Sequence, residues 1–314
     1  MLLKQAFVIL FVVSVLSTVS AVFLLLLVGY GARKLGVLKS SDTAVVNSIV
    51  INLTGPAFAF SALYGKPLTL QMIGAPMVII ISSMLVMGLA YIAGVILHLD
   101  RKTTGAIMLV SAFGNTGFLG YPVTMAAFPK SGDAIATAVM CDQFGMALPL
   151  YSIGVVVAAS FAAAKTNRAQ ILEFMKAPLL PATIIAILLR PVHLPQPIVS
   201  SLTILGQATV PLAMLSLGLS LSKSSLKTAT VPFTVGIVLK MVAVPIITFL
   251  GLKLVGIDGV VRNVTVLESS MPAAVMTGVI AGRYNTNGAF VSAAIFLMTL
   301  ASIITIPVIL MLLG

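Results

Sequence analysis

Long apolar runs separated by short polar loops make up almost all of the chain, and each run approaches the roughly 20 residues a helix needs to cross the hydrocarbon core of a bilayer. The runs fall near residues 6–30, 43–64, 72–97, 104–128, 134–161, 178–192, 197–221, 231–255, 260–282 and 288–313. Within them the apolar residues are continuous rather than alternating, which predicts helices and not barrel strands. The pattern therefore predicts an all-α membrane protein with ten spans. The fourth run contains an anomaly: Ser111-Ala-Phe-Gly-Asn-Thr-Gly-Phe-Leu-Gly-Tyr-Pro122 places glycines, an amide and a proline at its centre. Non-helical backbone at membrane depth survives only where protein buries it or a wet cavity hydrates it. A helix break at 114–117 that lines a binding site is the expected result.

A second pattern overlies the first. Asn52-Leu-Thr54-Gly-Pro56 followed by Ser61 matches Gln207-Ala-Thr209-Val-Pro211 followed by Ser216 at a constant shift of 155 positions. The same shift lays the loop at 100–105 over that at 255–260, and Asn115 over Ser270, just before Met271-Pro272. A second broken helix is expected in span 9. Five spans per half is an odd number, so the halves must be inverted with respect to the membrane, as in many secondary transporters. The expected organisation is a first repeat at 1–161, a polar cytoplasmic linker at 162–177 and a second repeat at 178–314.

Composition agrees with the class: 60% of residues are hydrophobic and 8% charged, with a mean hydropathy of +1.18. The net charge of +11 sits in short loops. The excess of Lys and Arg on the cytoplasmic side of membrane proteins accounts for it without nucleic acid as a partner. Loops after the odd-numbered spans hold eleven basic residues, from Arg33 to Arg283, against six on the other side, from Lys4 to Arg262. Both termini are thus expected outside the cytoplasm. The first run continues through Leu24–Leu27, so it reads as a span and not as a cleaved leader. Cys141 is the one cysteine, and neither His98 nor His193 has ligand-type neighbours, so no metal site or cofactor is expected.

Candidate site residues cluster at the two breaks. Asn115 is placed to cap the second half of span 4 with its side-chain oxygen while its amide donates to an anion. Thr116 adds a hydroxyl and Gly117 an unobstructed backbone N–H. An exposed helix start is itself an anion site. On the other break, Ser269 and Ser270 precede Pro272, whose fixed φ suits the first turn of a new half-helix. Asn52 and Gln207 are either further contacts or hydrogen bonds between helices. Tyr121 either lines the cavity or packs in the core. Pro149, Pro245 and Pro307 read as kinks.

Three ionisable residues lie deep within spans: Asp142, Lys240 and Glu268. A charge at mid-bilayer costs at least about 2.5 kcal/mol, so such groups usually pair or mark function. Lys240 is expected to neutralise one carboxylate. Burial and like charge both oppose ionisation of the other near an incoming anion, which favours proton coupling. Glu268, one turn before the second break, is expected nearest the anion. Gln143 stands beside Asp142.

The Gly114-to-Pro122 motif, Pro211-Leu-Ala-Met-Leu-Ser-Leu-Gly218 and Ser270-Met-Pro-Ala-Ala274 together resemble the auxin efflux carrier family, prokaryotic type, over essentially the whole chain. Plant carriers of the family place proline directly before the asparagine of span 4; here Gly114 takes that place. The resemblance implies a bile-acid-symporter-like (NhaA-like) fold with crossing broken helices 4 and 9. It implies a scaffold of spans 1, 2, 6 and 7, a transport domain of spans 3–5 and 8–10, elevator-type alternating access and a homodimer. Implied substrates are small organic anions such as malonate, malate or auxin-like acids. Transport is expected to be coupled to H⁺ or driven by membrane potential alone; the alternative, which the implied fold allows, is coupling to Na⁺ held by Asn115, Gln143, Glu268 and backbone carbonyls. An intramembrane enzyme would need a nucleophile and base pair, and a sensor an output domain; no stretch reads as either.

With Cys141 replaced by Ala, a cysteine at Ser41 should be shielded from an impermeant thiol reagent in intact cells, and one at Ser131 should label. The reverse pattern would overturn the assigned orientation.

Overall fold

In the computed structural model, which describes residues 20, 22–162, 178–220 and 231–313, the chain is helical nearly throughout. The first half of the first expected span and nearly all of the expected linker lie outside the described residues. Twelve helices follow one another among the described residues: α1 (22–34), α2 (Asp42–Leu63), α3 (Leu70–Ile96), α4 (Arg101–Ala112), α5 (Thr116–Gly120 running into Tyr121–Ala127) and α6 (Gly132–Phe161). They continue as α7 (Leu179–Leu188), α8 (Gln196–Ser220), α9 (Val231–Leu254), α10 (Gly259–Ser269), α11 (Val275–Tyr284) and α12 (Gly288–Leu313). Six of them, α2, α3, α6, α8, α9 and α12, are long and apolar enough to cross a membrane. They fall on six of the ten apolar runs, within a few residues at each end.

Local chemistry sets the ends. Thr69, Asp100 and Ser131 cap α3, α4 and α6, each accepting the amide hydrogen three residues on. Both the hydroxyl and the amide of Thr103 reach Asp100, which lies in the loop, and hold its carboxyl below the usual range. Asn285 closes α11 in the left-handed conformation. Several long helices carry π-helical turns, at 50–54, 116–120, 141–147, 150–154 and 239–243, and such turns often sit at functional positions. Asn52, Thr116, Asp142, Gln143 and Lys240 all lie in one of them.

One large apolar cluster joins α3 and α4 to the later part of α6 and to α9, α10, α11 and α12. A second gathers α1, α5, α8 and the end of α12, and a third packs α2 against α5, the start of α6 and α7. Helix α2 also lies along α7 and α8. Without a hydrophobic force between helices in lipid, close approach at small residues supplies the contact. The tightest approach of backbone to backbone is α1 on α8, where a Cβ on Gly218 would sit 2.0 Å from the Leu26 carbonyl oxygen and one on Gly29 would sit 2.3 Å from that of Leu215.

Gly218→Val should therefore cost more than about 3 kcal/mol, beyond the usual overpacking penalty, because it presses on backbone and not on a movable side chain. Gly88→Ala, with nothing within 4 Å of the added carbon, serves as control. Thermal unfolding in detergent that gave both variants the same midpoint would remove this contact from the account of stability.

Candidate functional site

Helix α4 stops at Ala112, and Phe113 turns extended (φ −106°, ψ 121°). Helix α10 stops at Ser269, and the chain is extended again at Ala274 (φ −64°, ψ 135°). The two interruptions pass each other antiparallel. Asn115 N–H donates to the Pro272 carbonyl at 2.7 Å, and Ala274 N–H donates to the Phe113 carbonyl at 2.9 Å. Gly114 opposite Ala273 makes the isolated β-bridge. Each broken segment so satisfies the other's exposed backbone, which is what burial at membrane depth demands. The amide of Gly114 donates to the Met146 sulfur at 3.2 Å. A side chain at Gly114 would be tight, since a Cβ would approach Lys240 Nζ to 3.0 Å and the Met271 carbonyl oxygen to 3.3 Å.

Three expectations change here. Pro272 does not open the new half-helix; it stays in the extended crossing because its carbonyl is needed by Asn115, and α11 starts at Val275. Asn115 occupies the N-cap position of α5, but only its backbone carbonyl caps, accepting from Leu119 and Gly120, and its side chain makes no cap bond. Among the described residues Lys240 pairs with no carboxylate. Its ammonium donates to the Ser269 carbonyl at 2.9 Å, a cation on the last carbonyls of α10, where the helix dipole favours positive charge.

Beside the crossing lies a cavity of about 100 Å³. Its polar wall is Asn115, Thr116, Gly117, Asp142, Gln143 and Tyr151, and its apolar wall includes Met146, Leu150, Leu180, Val275 and Met276. The amides of Thr116 and Gly117 precede the first helical bond of α5, and those of Val275 and Met276 precede the first of α11, made by Thr277 to Ala274. Two helix starts thus border one small space, each with the unpaired donors and positive dipole end that attract anions. The side-chain amide nitrogen of Asn115 is buried there without a hydrogen-bond partner among the described residues.

Asp142 organises the rest of the wall. Its Oδ1 accepts from the Thr116 hydroxyl. Its Oδ2 accepts from Tyr121 Oη and from Gln143 Nε2, each at 2.6 Å. Gly117 lies directly against it: a Cβ there would stand in contact with Oδ1, at 3.4 Å, with no space for further branches. Tyr121 does not line the cavity; its ring packs on Phe58 with centroids 5.0 Å apart, and it reaches the site only through Asp142.

The remaining expected residues lie elsewhere. Glu268 is fully buried but does not line the cavity. Its carboxyl turns to α5, where Oε1 accepts from Thr124 at 2.9 Å and Oε2 lies so near Gly120 that a Cβ there would come within 2.0 Å. The face of α10 that carries Glu268 looks at the second half of the broken span, not at its start. Ser269 and Ser270 bond back to the carbonyls of Val266 and Leu267. Asn52 and Gln207 are exposed and line no part of this cavity; Asn52 bonds back to Ser48. Met146 and Leu150 were not singled out from sequence, although their spacing of four from Asp142 places them on its face of α6.

Comparison with known proteins gives the class. Residues 14–310 match the family described as membrane transport protein. An uncharacterised transporter of Methanocaldococcus jannaschii is 33% identical over 93% of this chain and 96% of its own length. An uncharacterised transporter of Methanothermobacter thermautotrophicus is 31% identical over 92% and 95%. Apolar helices, a helix crossing beside a polar cavity and these relatives agree: the chain belongs to the membrane transport protein family, the auxin efflux carriers, and is an integral, multi-pass membrane protein.

Proposed function

We propose that this protein is a secondary transporter of small organic anions, mono- or dicarboxylates, that binds the carboxylate of its substrate at the crossing. The observation that carries the reading is the buried, unpartnered amide nitrogen of Asn115, set between two helix starts beside the cavity. A buried donor left unmade costs about 1 to 3 kcal/mol, and an anionic oxygen recovers it. On this reading the twelve helices make ten spans, with α4 and α5 one broken span and α10 and α11 the other. The spans form two inverted repeats. Spans 1, 2, 6 and 7 act as a scaffold against which spans 3–5 and 8–10 move as an elevator, in a homodimer of the cell membrane with both termini outside.

Coupling falls to Asp142 rather than Glu268. Asp142 stands in the cavity wall with three donors on two oxygens, an arrangement that suits an ionised, acceptor-only carboxylate. Protonation converts one of those acceptors into a donor, so a facing hydroxyl, Thr116 or Tyr121, must reverse from donor to acceptor or a donor must turn away. Proton uptake and the shape of the site are thereby linked. Sodium is the weaker alternative, because Glu268, its acidic ligand on the sequence reading, is turned away from the cavity toward Thr124.

Asn115→Ala should weaken substrate affinity about tenfold, the worth of one hydrogen bond to a charged group, without loss of folded protein. Gly117→Val should abolish transport, because branched carbons reach the place held by the Asp142 carboxylate. Counterflow in proteoliposomes with a panel of mono- and dicarboxylates reads both. Normal affinity in Asn115→Ala would return the crossing to a purely structural role.

Asp142→Asn should still exchange substrate across the membrane while losing the pH dependence of uptake. Uptake that remained pH-dependent in this variant, or that followed a sodium gradient at constant pH, would overturn proton coupling through Asp142.

A further inference from the structure

Away from the crossing, the face between α9 and α12, floored by Val266 of α10, carries an apolar groove of about 540 Å³. On α9 its lining runs from Met241 to Leu250, nine steps of helix or roughly 13 Å, close to the roughly 15 Å depth of one hydrocarbon leaflet. The groove is therefore about as long as one leaflet is deep and has room for an acyl chain laid along it.

Both helix stripes that form its upper end finish in a cation. On α9 the lining positions Ile246 and Phe249 are followed, one turn beyond Phe249, by exposed Lys253. On α10 the floor residue Val266 is preceded, one turn back, by Arg262, whose side chain is 31% exposed. The guanidinium lies over the Phe249 ring, 5.9 Å from its centroid, so it covers the mouth of the groove. Arg262 bonds to Asp258 at 3.2 Å and to Asn263 Oδ1 through two further N–H groups. That uses three of its five donors. The Asp258 pair is an exposed one, of the kind that contributes little and yields readily to a better anion. Asn263 also ties the end of α12 into this corner through the Leu313 carbonyl.

We propose that this groove is a site for one membrane phospholipid with a net negative headgroup, its acyl chain lying along α9 and α12 and its phosphate held by Arg262 and Lys253. Arg suits the task because its planar fork matches two phosphate oxygens at once. The site is independent of the substrate cavity and of any assignment of substrate or coupling ion.

The chain contains no tryptophan, so a single one becomes a specific reporter. Phe249→Trp reports from the groove, and Ile81→Trp, on the exposed face of α3, reports from ordinary lipid-facing surface. Each protein is placed in bilayers of dibrominated phosphatidylcholine, and unbrominated phosphatidylglycerol is titrated in to relieve quenching. The groove reporter should show phosphatidylglycerol preferred by about fivefold per basic residue, and the α3 reporter no preference. Adding Arg262→Gln should reduce the groove preference about fivefold, and Arg262→Lys should retain most of it. Equal lipid selectivity at the two reporters, or a preference unchanged by Arg262→Gln, would overturn the proposal. So would weaker quenching at Phe249→Trp than at Ile81→Trp, since that result means a second copy of the chain covers the groove.

Discussion

Two backbone hydrogen bonds, Asn115 to Pro272 and Ala274 to Phe113, permit everything else near the centre of this molecule. A helix that stops at mid-membrane strands carbonyls at one end and amides at the other, and hydrocarbon offers no water to accept them. A single break would be prohibitive. Two breaks that cross answer each other through two backbone hydrogen bonds, and the helix starts that follow them, at Thr116 and Val275, border one cavity.

The polar residues around the crossing divide into those that hold it and those that face the cavity. Lys240 holds it, through the last carbonyl of α10. Glu268 and Thr124 hold α10 to α5. Asp142, Thr116, Gln143 and Asn115 face inward. Ionisable groups at such depth usually mark function. Here one of the three lies in the cavity wall and two serve contacts between elements. The same three ionisable groups each lie against a glycine of one seven-residue stretch: Gly114 passes close to Lys240, Gly117 touches Asp142, and Gly120 leaves the space that Glu268 fills.

Much of this was legible beforehand because hydrophobic length and helix-breaking residues act locally. Apolar runs of span length gave the six long helices, and Gly-Asn-Thr-Gly with Ser-Ser-Met-Pro gave the places where helices stop. Partners were less legible. Whether Lys240 meets a carboxylate or a carbonyl depends on the rotation of α9 about its axis, and the π-helical turn at 239–243 resets that rotation in a way no periodicity count contains. The turn at 141–147 does the same for Asp142. Pro272 misled because proline suits the first helical turn and extended backbone equally well. Asn52 and Gln207 match in sequence, yet both side chains are exposed on their helices.

The contact between Gly114 and Met146 has a consequence for how readily the crossing changes partners. Most buried amides in a membrane helix are bonded to carbonyls of the same helix and exchange only if the helix opens. Gly114 instead gives its hydrogen to a thioether, a weak and polarizable acceptor on a flexible side chain that itself lines the cavity. The sulfur prevents an orphaned donor yet holds it lightly, so a stronger acceptor placed in the cavity would displace it at little cost, and the crossing could gain a new partner at Gly114 without any helix opening.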